Sequence, residues 1–188
     1  MAKVVTMGEI MLRLSTPNNE KFIQADEFDV VYGGGEANVA VSLANYGHET
    51  QFVTAVPANP IGECAVATMR KYNVGTKYIS RSGERLGIYY LETGSAMRAS
   101  NVVYDRAHSS ISTATPDQFD FDAIFSDCDW FHFTGIPRHQ RRCHRSDRGR
   151  FEGCQGSRRD RFRGLKLPQE AVELREGSEG DDELYAVR

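Results

Sequence analysis

A chain of 188 residues with 40% hydrophobic residues and a formal net charge of −3 has the composition of an ordinary soluble protein of one domain or a domain and a half. No apolar run reaches the length of a membrane span, and residues 1–20 lack a signal peptide's basic start and apolar centre, so the chain is expected in the cytoplasm. Four cysteines without a CxxC pair point to reduced thiols rather than a disulfide framework or a zinc site.

Lys3 to Met7 (KVVTM) reads as a buried first strand running into Gly8-Glu9. Ile10 to Leu14 alternates in part, Ser15 to Asn19 carries turn residues, and Phe22 to Tyr32 supplies further strand. Gly33-Gly34-Gly35 end that run, and a helix begins at once, with Ala37, Ala40, Val41, Leu43 and Ala44 on its packed face down to Gly47. Glycines let the backbone turn tightly and approach a small ligand. The free N–H groups of the new helix favour oxygen-rich or anionic groups, and Asn38 adds an amide that both donates and accepts. The spacing is neither a dinucleotide fingerprint nor a phosphate loop, and a plain strand-to-helix turn stands equally open on these residues alone.

Gln51 to Val56 is a second core strand, and Asn59-Pro60 sets the start of a helix over Ile61 to Tyr72. This strand–helix–strand–helix order predicts a parallel sheet covered by helices. Leu86 to Thr93 and Asn101 to Arg106 predict a hairpin with a longish loop around Gly94-Ser95. Alternation places Gly87, Tyr89 and Leu91 on one face, Ile88 and Tyr90 on the other, and Tyr104 with Arg106 on a shared face. A hydroxyl pair plus a guanidinium suits a small polyhydroxy acid, because Arg grips a carboxylate bidentately while tyrosines bond to hydroxyls. Taken alone, such residues on strands are more often core and solvated rim. Asp117 to Cys128 reads as a short helix, and Asp129 to Gly135 as a buried strand ending in a ligand-facing turn. His48, His108 and His132 are read as structural or surface residues.

The runs GEIMLRLSTP and GGGEANVAVSLANYG resemble the ribokinase-like (PfkB) carbohydrate kinases, especially their 2-keto-3-deoxygluconate kinase branch, and the resemblance covers residues 1–136. It implies an α/β fold: an incomplete ribokinase-like three-layer sandwich with a parallel central sheet and a small β lid. It also implies ATP-dependent phosphorylation of a small sugar acid, foremost 2-keto-3-deoxygluconate to its 6-phosphate, with another sugar kinase such as a fructokinase as the alternative. The family's substrate contacts fall on Gly34, Gly35, Asn38, Tyr89, Tyr104 and Arg106, with Tyr90 as the fallback if the register slips and Glu9 and Arg13 nearby. ATP and Mg2+ are implied as cofactors. The family's late Gly-Ala-Gly-Asp segment, which supplies the base and the anion hole, and its Asn-x-x-Glu occur nowhere in the chain. No catalytic, nucleotide-binding or metal-binding residue is therefore assigned, and the chain by itself is expected to be inactive. The partners implied are the sugar acid and a second copy paired through the lid strands, with neither nucleic acid nor membrane. Outside enzymes, an inactive fragment or a lid dimerisation module is the alternative.

The chain changes character after Pro137. Residues 138–188 hold 13 of the 23 Lys and Arg but only 10 of the 26 Asp and Glu, so the tail carries +3 and the body −6. Back-translated and read from the second base of each codon, with degenerate positions chosen freely, PRHQRRCHRSDRGR becomes PGISDGAIALTEA. The continuation becomes an amphipathic helix, a β-branched strand ending in Asp-Leu-Asn and the element NFRKKLW, which again resembles this kinase branch. Residues 137–188 are therefore expected to derive from a frame change near codon 137 and, poor in apolar residues, to be disordered. An Arg-rich arm for nucleic acid fits less well, because the tail lacks interleaved aromatics and ends acidic from Glu176 to Glu183.

Overall fold

The computed structural model describes residues 1–133 and, from the tail, the backbone of two short strands. In chain order the elements are β1 (Lys3–Met7), β2 (Met11–Ser15), β3 (Asp29–Gly33), α1 (Gly35–Asn45), β4 (Glu49–Val56) and α2 (Pro60–Lys71). There follow β5 (Ile79–Arg81), β6 (Ile88–Glu92), β7 (Asn101–Asp105), α3 (Ser110–Thr113), α4 (Phe121–Phe125) and β8 (Trp130–His132), with β9 (Val172–Glu173) and β10 (Leu184–Val187) from the tail. Gly135, where the last body strand was expected to turn, and the remainder of the 137–188 segment assigned to a shifted frame lie outside the described residues.

The larger sheet has the order β5-β4-β1-β8-β10-β9. It is parallel from β5 to β8, and β10 and β9 continue it antiparallel. The short period of β4 builds both cores. Phe52 and Val56 point to the side where Ile10, Ala37, Ala40, Ala65 and Met69 pack beneath α1 and α2. Val53 and Ala55 point the other way and join Val5, Phe119, Phe125 and Phe131, with the rings of Phe125 and Phe131 edge-on at 4.9 Å. Helices on both faces of a parallel sheet make the fold an α/β three-layer arrangement, as the strand–helix alternation predicts.

The smaller sheet, the lid, has the order β3-β2-β6-β7, with β2–β3 and β6–β7 antiparallel and β2–β6 parallel. The lid is thus made of two hairpin-like pairs whose chains come from, and return to, the larger sheet and its helices. The expected hairpin forms with a loop over residues 93–100.

Three local departures have local causes. The extended stretch expected from Phe22 narrows to β3, because residues 22–24 form a turn; Gln24 N–H bonds to Lys21 O at 2.8 Å. The helix expected over Asp117 to Cys128 divides into a turn at Pro116–Gln118 and α4. Asp120 starts α4 afresh, since its side chain accepts from Ala123 N at 3.1 Å. The strand β5 has no counterpart in the sequence reading, because its three residues are too few to show a period.

The two long helices are fixed by their ends. Asn59 Oδ1 accepts from Gly62 N at 2.9 Å and Pro60 takes the first helical position of α2. α1 ends with Gly47 at φ +86°, where Gly47 N–H bonds to Ala44 O and His48 N–H to Leu43 O, each at 3.0 Å. Asn59→Ala should therefore cost about 1 kcal/mol, and Gly47→Ala roughly 1–2 kcal/mol for a left-handed alanine. Urea midpoints of the two variants against the parent check both values, and an unchanged midpoint for Gly47→Ala would contradict the assigned helix end.

Candidate functional site

The chain crosses between the larger sheet and the lid at four places: Gly8–Ile10, Gly34, Arg85–Gly87 and Arg106–Ser109. Buried Ile10 and Leu86 anchor two of these crossings in the core beneath α1 and α2. The residues singled out from the sequence gather at or next to the crossings.

Gly34 is buried and extended between β3 and α1, and a Cβ there would run into the backbone carbonyl of Glu9. The glycine is thus demanded by the chain's own backbone, whatever else it contacts. Gly35 is the exposed first residue of α1, and Asn38 is exposed one turn further on, its N–H bonded to Gly34 O at 2.8 Å. Asn38 also lines an open groove of about 350 Å³ between α1, α2 and the end of β3, with Tyr32, Asn45 and Tyr72; Tyr89, Tyr104 and Arg106 are not among its walls. Burial, with a hydrogen bond to Cys64, pushes the Tyr32 hydroxyl above its ordinary pKa.

On the lid, Tyr89 pairs in register with Tyr104, their ring centroids 5.9 Å apart and tilted by 37°. Arg13 of β2 is the register partner of Tyr89 on the other side. The Arg106 guanidinium carbon stands 5.9 Å from the Tyr104 ring centre, within cation–π range. Tyr90 points to the opposite face of the lid and meets Phe28 edge-on at 6.0 Å, so the alternation read from sequence is the one the strands adopt.

Glu9 ties the two groups together. Its Oε2 forms an ion pair with Arg106 Nη2, and the Glu9 side chain is only 10% exposed against 28% for Arg106. Gly87 makes this possible, because a Cβ there would overlap Glu9 Oε1 and come within 3.1 Å of Arg106 Cβ. Sequence reasoning placed Glu9 only loosely and gave Gly87 no role beyond a strand face. The signal that could have found them is a glycine two residues before Tyr89, on the same strand face.

Just outside the cluster, Arg85 and Asp105 close the base of the β6–β7 hairpin. Arg85 donates to both carboxylate oxygens of Asp105, at 3.0 and 2.8 Å, and to its carbonyl at 3.0 Å. The fork fixes the point at which the chain enters and leaves the two strands that carry Tyr89 and Tyr104. What the cluster offers chemically is a guanidinium, a carboxylate and two phenols on one lid face, beside a helix N-terminus: donors and acceptors for a small polar, anionic molecule. Among the described residues no group of three or more His, Cys, Asp or Glu could hold a metal ion, and no helix is long and apolar enough to cross a membrane.

A model of the pfkB family of carbohydrate kinases matches residues 1–144. A 2-dehydro-3-deoxygalactonokinase of Haloferax volcanii is 36% identical over 135 residues, which cover 72% of this chain and 42% of that protein. The crystal structure of a 2-dehydro-3-deoxygluconokinase from Thermotoga maritima is similar with a TM-score of 0.71 and 54% identity, covering 72% of this chain and 42% of that one. A PfkB family carbohydrate kinase from Listeria grayi gives a TM-score of 0.67 and 44% identity over 69% of this chain and 41% of its own. This chain therefore spans about two fifths of the length of the relatives it matches.

The Arg85 guanidinium beside Asp105 holds its carboxyl below the usual carboxylate range. Folding lowers this pKa, so the pair's contribution is present above the carboxyl's unfolded-state value and is lost as pH falls through the folded one. An NMR titration of the Asp105 side-chain carbon should show a depressed midpoint that rises toward the ordinary value in Arg85→Met. Equal midpoints in parent and variant would remove Arg85 as the cause.

Proposed function

Because the chain belongs to the pfkB family of carbohydrate kinases, we propose that it carries the sugar-binding part of an ATP-dependent kinase for a small sugar acid, foremost 2-keto-3-deoxygluconate phosphorylated on its terminal hydroxyl to the 6-phosphate. The observation that carries the proposal is the Arg106 guanidinium beside the Tyr89–Tyr104 pair on one lid face. Nη2 gives one of its hydrogens to Glu9, while Nε and Nη1 have no hydrogen-bond partner among the described residues, so one edge of the guanidinium stays open to a carboxylate. In this reading the sugar acid's carboxylate lies on that edge, the two phenols bond to its hydroxyls, and Gly34, Gly35 and Asn38 close over it from the N-terminus of α1. A neutral sugar such as fructose leaves the guanidinium edge unmatched, which makes a fructokinase the second choice. The names of the Haloferax volcanii and Thermotoga maritima relatives, both kinases of 2-dehydro-3-deoxy sugar acids, support the same substrate class.

ATP supplies the phosphoryl group, and Mg2+ would neutralise its charge. No described residue forms a carboxylate set for the ion, and the sequence has no Gly-Ala-Gly-Asp segment. No proton transfer or phosphoryl step is therefore assigned to a residue of this chain, and we expect binding without turnover. The exposed lid residues Val30, Val102 and Val103 favour a second copy as a further partner, paired lid to lid. The frame change near codon 137 is likewise proposed for the Arg-rich segment; resequencing codons 130–190 tests it, and a frame that reads as written rejects it.

Calorimetric titration of the 188-residue chain with 2-keto-3-deoxygluconate should give saturable binding that Arg106→Ala weakens by roughly tenfold to a hundredfold, the worth of hydrogen bonds to a charged group. Fructose should bind parent and variant alike and more weakly. Equal sugar-acid affinity in Arg106→Ala would refute the assignment of the carboxylate grip, and sedimentation of the same samples reads the lid-to-lid dimer.

A further inference from the structure

The register of the lid sets Val31, Arg13, Tyr89 and Tyr104 in one row across β3, β2, β6 and β7, so their side chains rise from the same face. Arg106 follows Tyr104 by two residues on that face. At the other end of the row, Val31 lines the groove that Asn38 of α1 also lines. A ligand reaching from Arg106 and Tyr104 to the N-terminus of α1 therefore passes Arg13. Charge sets this residue apart from its neighbours. Of the six arginines among the described residues, Arg70, Arg81, Arg85, Arg98 and Arg106 each make a hydrogen bond or an ion pair. Arg13, partly buried, makes neither among the described residues. Arg106 has its charge matched by Glu9, so that pair is close to neutral and offers a ligand hydrogen bonds rather than net charge. The other carboxylates nearby are engaged or set apart. Asp105 is held by Arg85, Glu36 lies buried in the body against Gly8, and Asp29, exposed two residues before Val31, forms no ion pair with Arg13. The unmatched positive charge of this lid face thus resides on Arg13.

We propose that Arg13 is a specificity-determining residue: its guanidinium supplies the positive charge by which the lid face prefers a sugar acid to a neutral sugar of the same shape. The inference rests on the reading of Arg106 as the carboxylate grip. The two arginines then divide recognition. Arg106 fixes the carboxylate by direction, through the open edge of its guanidinium. Arg13 sets the sign of the local field, which acts over several ångströms and needs no hydrogen bond to the ligand. A lysine, which keeps the charge but not the fork, should therefore serve at position 13. Because Arg13 has no partner among the described residues to leave behind, its replacement should disturb the fold little.

The test compares 2-keto-3-deoxygluconate with 3-deoxyfructose, the same sugar with a hydroxymethyl group in place of the carboxylate. Both are titrated calorimetrically into the full chain and into Arg13→Gln, Arg13→Lys and Arg106→Ala. The parent should prefer the acid. Arg13→Gln should weaken acid binding roughly threefold to tenfold and leave 3-deoxyfructose affinity nearly constant, while Arg13→Lys keeps most of the preference. A parent-like preference in Arg13→Gln, an equal loss for both sugars, or a loss in Arg13→Lys as large as in Arg13→Gln overturns the inference and leaves the carboxylate grip standing. Undiminished acid binding by Arg106→Ala, or no acid binding by the parent, overturns the grip and the inference with it. A measurement on the unmodified chain guards against misfolding of a variant. The Arg13 Nε resonance should move further in the NMR spectrum with the acid than with 3-deoxyfructose, and equal movement with both would also overturn the inference.

Discussion

The close approach of Gly34 to the carbonyl of Glu9 is the contact on which the rest of the arrangement depends. It brings the turn between β3 and α1 against the connection between β1 and β2, so that two of the four crossings between sheet and lid lie on top of each other. A methyl group at position 34 would force the backbones apart, moving the N-terminus of α1 away from the lid. With the contact made, Glu9 is held where its side chain reaches across to the strand that ends in Arg106. A backbone packing constraint thereby sets the position of a charged pair some hundred residues apart in sequence, and the pair sets the geometry of the guanidinium beside the Tyr104 ring.

The energetic layers around this junction differ in kind. The larger sheet is held by apolar burial on both faces, through β4 and the helices that cover it, and needs no charged group. The lid has no such core. Its outer strand β7 is exposed along its length, and its order comes from ladder hydrogen bonds, the tilted Tyr89–Tyr104 contact, and two ion pairs at its base. A body with two apolar cores thus carries a sheet with little apolar packing whose geometry is fixed at its root. That division explains why exposed apolar residues such as Val30 and Val103 concentrate on the lid.

Much of the fold was legible in the sequence, and the legible parts share a cause. β1, β4, α1, α2 and the β6–β7 hairpin are long enough for apolar periodicity and end signals to agree, as with Asn59-Pro60 at the start of α2 and Gly47 at the end of α1. β5 and α3 were illegible because elements of three or four residues carry no period of their own and exist only where a neighbouring strand or loop lets them bond. The helix expected over Asp117 to Cys128 divides for a related reason: Asp120, by accepting from Ala123 N, caps and starts a new helix.

The sequence by itself determined which residues share a strand face, since alternation is a local property of the backbone: Tyr89 against Tyr90, and Tyr104 with Arg106, follow from it. It also determined the glycine turn and the helix that begins there. The tertiary structure alone decided what those residues meet. That Gly34 is required by the Glu9 carbonyl, that Gly87 makes room for a carboxylate, and that Arg106 is half engaged by Glu9 while one edge has no partner are all contacts between segments far apart in sequence. Their existence depends on how the lid closes onto the body, which is set by packing rather than by any local pattern along the chain.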